Sequence, residues 1–225
     1  MMLGDVLLDY DRALAAVASD LRSIGLDPTT RLKTSGTIID KLRRDSPMDL
    51  RHIRDLAGAR IVRPMTLDDQ DTVAASITEL WPASEVIDRR ETPSHGYRAV
   101  HVVPKIDGCP VEIQLRTRYQ DIWAQAMEAW GDIWGRAIRY GGEPEEPDKP
   151  ASTNGPLSRR EMMELWKKQS DELHKLAQLE NQQARLRAAG AVGVSTEELE
   201  RLEKEISDDF RPLKDMIDSH REVFG

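Results

Sequence analysis

The sequence predicts an α+β domain built on a small, mixed, mostly antiparallel sheet flanked by helices, with a helical hairpin as a tail. Three observations carry that expectation. Segments of helical and of strand periodicity alternate over the first 142 residues, the strongest strand pair is joined by a two-residue turn, and a stretch rich in Gly, Pro and acid separates this half from two charged helical segments. The expected boundaries are 1–142 for the domain, 143–157 for the linker and 158–225 for the tail.

Taken in order, Leu3, Val6, Leu7, Tyr10, Leu14, Val17 and Leu21 recur at helical spacing and stop near Gly25. Thr34 or Ser35 then caps a second helix, "TIIDKLRR", which Pro47 ends. "GARIV" reads as a buried strand, "TLDDQDTVAASITELW" as a helix with an acidic first turn, and "SEVID" as a short strand. "RAVHVVPKI" and "CPVEIQLR" form a hairpin through Asp107-Gly108, and "RYQDIWAQAMEAWGDIWGRAIRY" is expected to be one long helix. "GGEPEEPDKPASTNGPLS" is a linker by composition, followed by helices over 158–188 and 195–222 with a break at "AAGAVGVS".

Composition narrows the function classes. A net charge of -8 argues against a protein that coats DNA nonspecifically, although "RLK", "KLRR", "RHIR", "DRR" and "RTR" gather cations in the front half, where an anionic ligand would sit. A single cysteine, Cys109, excludes an internal disulfide framework and a Cys-based zinc cluster. No apolar run is long enough to cross a bilayer, so no membrane partner is expected. The N-terminal stretch carries Asp5, Asp9 and Asp11 where an export signal would carry basic residues, so a cytoplasmic location is expected.

The hairpin holds the first candidate site. In two-residue register Ile106 meets Cys109, Val103 meets Glu112 and His101 meets Gln114. Alternation then puts Val100, Val102, Val111, Ile113 and Leu115 on one face, and Tyr97, Ala99, His101, Val103, Glu112, Gln114 and Arg116 on the other. Antiparallel sheets commonly wet one side. A tyrosine and a histidine in line with Glu112 make this side a candidate site rather than a plain surface.

Two further clusters complete the set. In "RLKTSGTIIDKL", Thr37 and Lys41 share a helical face; Ser35, the amides of that helix start, Arg31 and Lys33 would join them in a cradle for phosphate oxygens. In "RDLAGARIV", Asp55 stands before a Gly turn and Arg60 on the strand that follows. Asp55 and Glu112 are two carboxylates for one divalent cation, which takes one or two carboxylates plus substrate phosphates. Trp123, Trp130 and Trp134 read as helix core, and His52, His174 and His220 show no metal-ligand spacing.

"RLKTSGTIIDKL", "DLAGARIV", "GYRAVH" and "VEIQLRT", in this order over about residues 25–142, resemble the synthetase domain of the RelA/SpoT family in its small single-domain form. The resemblance implies a nucleotidyltransferase-like fold and a pyrophosphokinase that moves pyrophosphate from ATP to a ribose 3′-hydroxyl with magnesium. It implies that Arg31 and Arg60 sandwich the adenine, that Lys33, Ser35, Thr37 and Lys41 hold the phosphates, and that Asp55 and Glu112 are catalytic and hold the metal. It further implies that Glu112 activates the attacking hydroxyl, that Tyr97 stacks on the acceptor base, and that His95, His101, Gln114 and Arg116 border the acceptor. Members that use GDP or GTP typically carry "PKxNGY"; this chain has "ETPSHGY", one residue shorter, without the Lys and with His95 for Asn, while Arg89 and Arg90 stand nearby as substitute charges. The run after "EIQLRT" and the form "GYRAVH" are similar to the toxic small synthetase branch, so the 3′-terminal adenosine of tRNA is put ahead of GDP or GTP as acceptor. A neutralising antitoxin protein and self-association through the tail are the partners this implies. Two other classes fit some of the same residues: a metal-dependent nuclease using Asp55 and Glu112, and a binding protein with a dead site.

Overall fold

The computed structural model describes residues 3–33, 56–152 and 156–189, with 201 and 204 beyond them. These residues divide into two compact units between which the chain passes repeatedly. The first takes the N-terminal segment to Met65, Asp69–Arg89 and Ala99–Thr117; the second takes Thr66–Asp68, Arg90–Arg98 and the chain from Arg118 onward.

The first unit is a sheet covered on one face by helix. Helix α1 (Leu3–Ser23) leads into strands β1 (Thr29–Leu32) and β2 (Ala57–Arg63); helix α2 (Leu67–Leu80) precedes β3 (Glu85–Asp88), β4 (Val100–Val103), β5 (Lys105–Ile106) and β6 (Cys109–Thr117). The order across the sheet is β1-β2-β6-β4-β3, with β5 paired to β6. Among the described strands β2 and β6 run parallel and the other pairs antiparallel, so the sheet is mixed as the sequence predicts. The α1 stripe Tyr10, Leu14, Val17 and Leu21 joins Ala57, Ala59, Ile61, Val100, Val102, Val111, Ile113 and Leu115 in one buried cluster. Alternation along β2, β4 and β6 therefore spends one sheet face on the core and leaves the other for polar residues. Buried Gln70 of α2 donates to the Leu115 carbonyl at 2.9 Å, pairing a polar side chain with a carbonyl of β6.

The hairpin has the register that the Asp107-Gly108 turn dictates. Ile106 pairs with Cys109, His101 with Gln114 and Val102 with Ile113. The predicted run "RAVHVVPKI" divides at Pro104, which has no N–H to give; its carbonyl still accepts from Val111 N at 3.0 Å. Strand β1 is an addition to the elements expected: a short, mostly exposed edge strand without apolar alternation.

The second unit is helical. Helix α3 (Arg118–Trp134) and helix α4 (Arg159–Ala188) bury Trp123, Met127, Trp130, Trp134, Met163, Trp166 and Leu173 together. Trp123 and Trp166 stack at 6.4 Å between centroids, and the Trp123 indole donates to the Trp166 carbonyl at 2.9 Å. The single helix expected over 118–140 is corrected: α3 ends at Trp134 and a 3-10 turn takes Arg136–Tyr140. The cause is Gly135, whose φ of 95° a helix does not accommodate; the Trp134 carbonyl is taken instead by Glu145 N at 2.6 Å. A capping box starts α4, with Ser158 Oγ accepting from Glu161 N and the Glu161 carboxylate accepting from Ser158 N. Among the described residues no helix is long and apolar enough to cross a membrane. The second predicted tail helix, 195–222, lies outside the described residues apart from two isolated positions.

Candidate active site

Register places six of the predicted residues on one face of the first unit's sheet. Paired residues on neighbouring strands point the same way. One row across the sheet therefore reads Arg31, Gly58, Glu112, and the next reads Thr29, Arg60, Gln114, His101. Arg116 follows beside Val62 in the row beyond. Lys33, two residues past Arg31, extends β1 by one bond as its N–H donates to the Leu56 carbonyl at 2.8 Å. Arg31 and Arg60 are diagonal neighbours on antiparallel strands, a relation that sets side chains roughly 7–8 Å apart at their roots.

A chain of polar contacts joins the members on β4 and β6. Arg116 donates to Gln114 Oε1 at 2.7 Å, and Gln114 Nε2 donates to Glu112 Oε2 at 2.7 Å. On the other side of the carboxylate, His101 Nδ1 lies 3.0 Å from Glu112 Oε1, an ion pair whenever the imidazole is protonated. Arg116 and His101 are buried, so their orientations are set by packing as well as by these bonds; Glu112 and Gln114 are half-buried. Glu112 thus has Gln114 bonded to one oxygen and His101 beside the other. A hard divalent cation takes such oxygens, one or two carboxylates completed by phosphate and water. Glu112 has the donor chemistry and the neighbouring cations, Arg31, Lys33, Arg60 and Arg116, have the charge for a phosphate-bearing ligand.

Ser35, Thr37, Lys41 and Asp55 lie outside the described residues. The last two predicted residues, His95 and Tyr97, belong to the second unit, in the loop Arg90–Arg98. There Ser94 and Tyr97 exchange backbone bonds, Tyr97 N to Ser94 O at 3.0 Å and Ser94 N to Tyr97 O at 3.2 Å, around His95 at φ 53° and Gly96 at φ 92°. Two consecutive positive φ values make this a type I′ turn, the conformation for which Asn-Gly is the favoured dipeptide. His shares with Asn an enrichment among non-Gly residues at positive φ. His95 therefore meets a backbone requirement that Asn would also meet. Gly96 has a second reason to lack a side chain, since a Cβ there would stand 2.6 Å from Trp123 Cζ2.

Sequence reasoning missed Arg98. It is buried, donates to the Arg90 carbonyl and so closes the loop on itself, and reaches α4 through Ser170 Oγ at 3.3 Å and Asp171 Oδ1 at 2.6 Å. Buried His174 meets Glu91 at 3.1 Å, and burial pushes its pKa below the ordinary histidine value against the pull of that carboxylate. The spacing of Ser170 and His174 was legible, but their partners lie more than 70 positions away in sequence.

Comparison with known proteins places these features. Residues 30–131 match the family described as "Region found in RelA / SpoT proteins". Uncharacterised proteins of Mycobacterium tuberculosis and Mycobacterium bovis are 40% identical over 120 residues; the match takes 52% of this chain and spans 44% of the length of each relative. Among solved structures, small alarmone synthetase 1 from Bacillus subtilis aligns with a TM-score of 0.59 at 21% identity, covering 84% of this chain and 98% of that one. The same enzyme bound to its product pppGpp aligns at 0.60 and 21%, covering 83% and 97%. A GTP pyrophosphokinase family protein from Streptococcus pneumoniae aligns at 0.55 and 20%, covering 84% and 95%. At these identities the structures establish a shared fold.

Proposed function

We propose, from the match of residues 30–131 to the region found in RelA/SpoT proteins, that the protein is an ATP-dependent pyrophosphokinase acting on a ribose 3′-hydroxyl. The observation that carries the reading is the sheet register, which sets Arg31 and Arg60 beside Glu112, Gln114, Arg116 and His101 on one face. Arg31 and Arg60 bracket the adenine, their diagonal spacing leaving room for one planar ring between two guanidinium groups. Lys33, with Ser35, Thr37 and Lys41, takes the phosphate oxygens. Glu112 accepts the proton of the acceptor hydroxyl as its oxygen bonds to the β-phosphorus of ATP; the bond from that phosphorus to the α-phosphate oxygen breaks and AMP leaves. Glu112 and Asp55 would hold a magnesium ion, which would neutralise phosphate charge. Gln114 Nε2 holds one oxygen of the Glu112 carboxylate, and His101 Nδ1 lies 3.0 Å from the other.

A guanine nucleotide is the acceptor this reading favours. The type I′ turn accounts for His95 without any change of acceptor, and a net charge of -8 repels a polyanion while leaving a mononucleotide free to reach a local cationic face. The tRNA 3′ end is the second reading, supported by the missing lysine ahead of the turn and by the run that follows "EIQLRT". Tyr97 stacks on the acceptor base in either case. A neutralising protein partner belongs to the second reading only.

The test offers magnesium and ATP labelled in its β- and γ-phosphates to the purified protein with GDP, GTP or deacylated tRNA, with Glu112→Gln as control. Label on the nucleotide supports the first reading and label on tRNA the second. Label on neither, with the control indistinguishable, sinks the transferase; loss of intact tRNA without ATP would put the metal-dependent nuclease in its place.

A further inference from the structure

Helix α4 presents two stripes. Met163, Trp166 and Leu173 face the tryptophan cluster, while Ser170, His174, Gln178, Asn181 and Arg185 follow one another at spacings of four, four, three and four, one above the other along the helix. An exposed polar stripe is ordinarily a solvated face. Here Ser170, His174 and Asn181 are buried, so each needs a partner, and the partners sort into two groups. Asn181 and Arg185 hold Asp68: the Asn181 carbonyl accepts from Asp68 N at 2.9 Å, and Arg185 makes two bonds of 2.6 Å to the carboxylate. The upper half of the stripe holds the loop Arg90–Arg98 at both ends. His174 and Gln178 take Glu91 at 3.1 and 3.4 Å. Ser170 Oγ donates to the Gly96 carbonyl while accepting from Arg98 Nε, and the neighbouring Asp171 fixes the Arg98 guanidinium.

The Gly96 carbonyl begins the peptide that carries Tyr97, and Arg98 follows it. We propose that Arg98, Ser170 and Asp171 are positioning residues that fix Tyr97 for acceptor binding, so that α4 is part of the acceptor machinery and not an appendage to it. The inference rests on the reading of this loop as the acceptor-binding element. A tyrosine that stacks on a base gains from being held before the base arrives, because ordering it on binding costs side-chain and backbone entropy. Two consecutive positive-φ residues give the turn a defined shape, but its direction is set by what grips either side of it. The ring of Tyr97 packs against the tryptophan cluster, and the Arg98, Ser170 and Asp171 contacts fix the peptide groups on either side of it.

Asp171→Asn removes the charge partner of Arg98 and leaves its bonds to Ser170 and Arg90 in place. It is expected to raise the acceptor KM about tenfold, the loss of one charge-assisted anchor, with the ATP KM within about twofold by the same reckoning, and to speed amide exchange at Gly96 and Tyr97. Arg185→Gln cuts the lower half of the same stripe and is expected to lower thermal stability with both KM values unchanged. Unchanged exchange and unchanged acceptor KM in Asp171→Asn would overturn the proposal, as would an equal rise of acceptor KM in Arg185→Gln, which would mark the effect as general loosening. If the wild-type protein transfers label to no acceptor, the transferase reading fails and the acceptor role of these residues falls with it, whereas normal turnover with indifferent variants overturns the positioning role alone.

Discussion

Glu112→Gln exchanges one carboxylate oxygen for an amide nitrogen at nearly constant volume, in a side chain held from two directions. The glutamine oxygen can keep the bond from Gln114 Nε2, now 2.7 Å, and its nitrogen would face His101 Nδ1, now 3.0 Å, which accepts when the imidazole is neutral. The network therefore survives in outline, and what is lost is the charge assistance. Hydrogen bonds to charged groups contribute roughly 1 kcal/mol more than neutral ones, and for a chain of this size that lowers Tm by about 2–4 °C. Activity should respond on a different scale. A general base contributes roughly 10²- to 10⁴-fold, or about 3–5 kcal/mol of barrier, and loss of a metal ligand adds to this. Initial rates at saturating ATP and acceptor, read beside a thermal melt of the same preparation, separate the two scales. A rate loss below about tenfold with an unchanged melt would refute Glu112 as base. A fall in Tm beyond about 10 °C would refute the structural half, showing that the carboxylate is needed to build the face.

Gly96→Ala should cost about 1–3 kcal/mol, a Tm drop of roughly 2–12 °C, from the positive φ alone; the approach to Trp123 adds to it, and a melt within 1 °C of wild type would contradict the turn geometry. His95→Asn should leave Tm and acceptor KM close to wild type, within about 0.5 kcal/mol, while His95→Val should destabilise; a large acceptor effect of the asparagine would show that the imidazole does more than satisfy the backbone. For His174, burial lowers the folded-state pKa below the unfolded value, so the unfolded chain binds the extra proton first and stability falls as pH drops through about 6.5. His174→Gln should flatten that part of the Tm-against-pH curve between pH 7 and the folded pKa, and an unchanged slope would assign the dependence elsewhere.

Much of the sheet was legible because its signals are local. Asp107-Gly108 fixes a two-residue turn, and that turn alone aligns His101 with Gln114 and sends Val111, Ile113 and Leu115 into the core. Helix limits were less legible where a single residue decided them. Gly135 ends α3 in the middle of a run that keeps helical apolar spacing, and Pro104 divides what alternation reads as one strand. Strand β1 gave no signal because an exposed edge strand needs no apolar alternation; its existence follows from the bonds that β2 offers it.

Residue types and their spacing within each element could be read along the chain: Glu112, Gln114 and Arg116 alternate on one strand, and no pairing of strands can separate them. Tertiary structure alone decided which of these rows meet. The parallel pairing of β2 with β6 puts Arg60 beside Gln114 and Gly58 beside Glu112, and the antiparallel β1 brings Arg31 onto the same face. It also decided that Ser170, Asp171 and His174 hold a loop more than 70 positions upstream. The physical reason is one of range. Turn dihedrals and side-chain periodicity are set by neighbours along the chain, whereas the partners of a buried polar group are chosen by whichever distant segment can bond it while the apolar faces close.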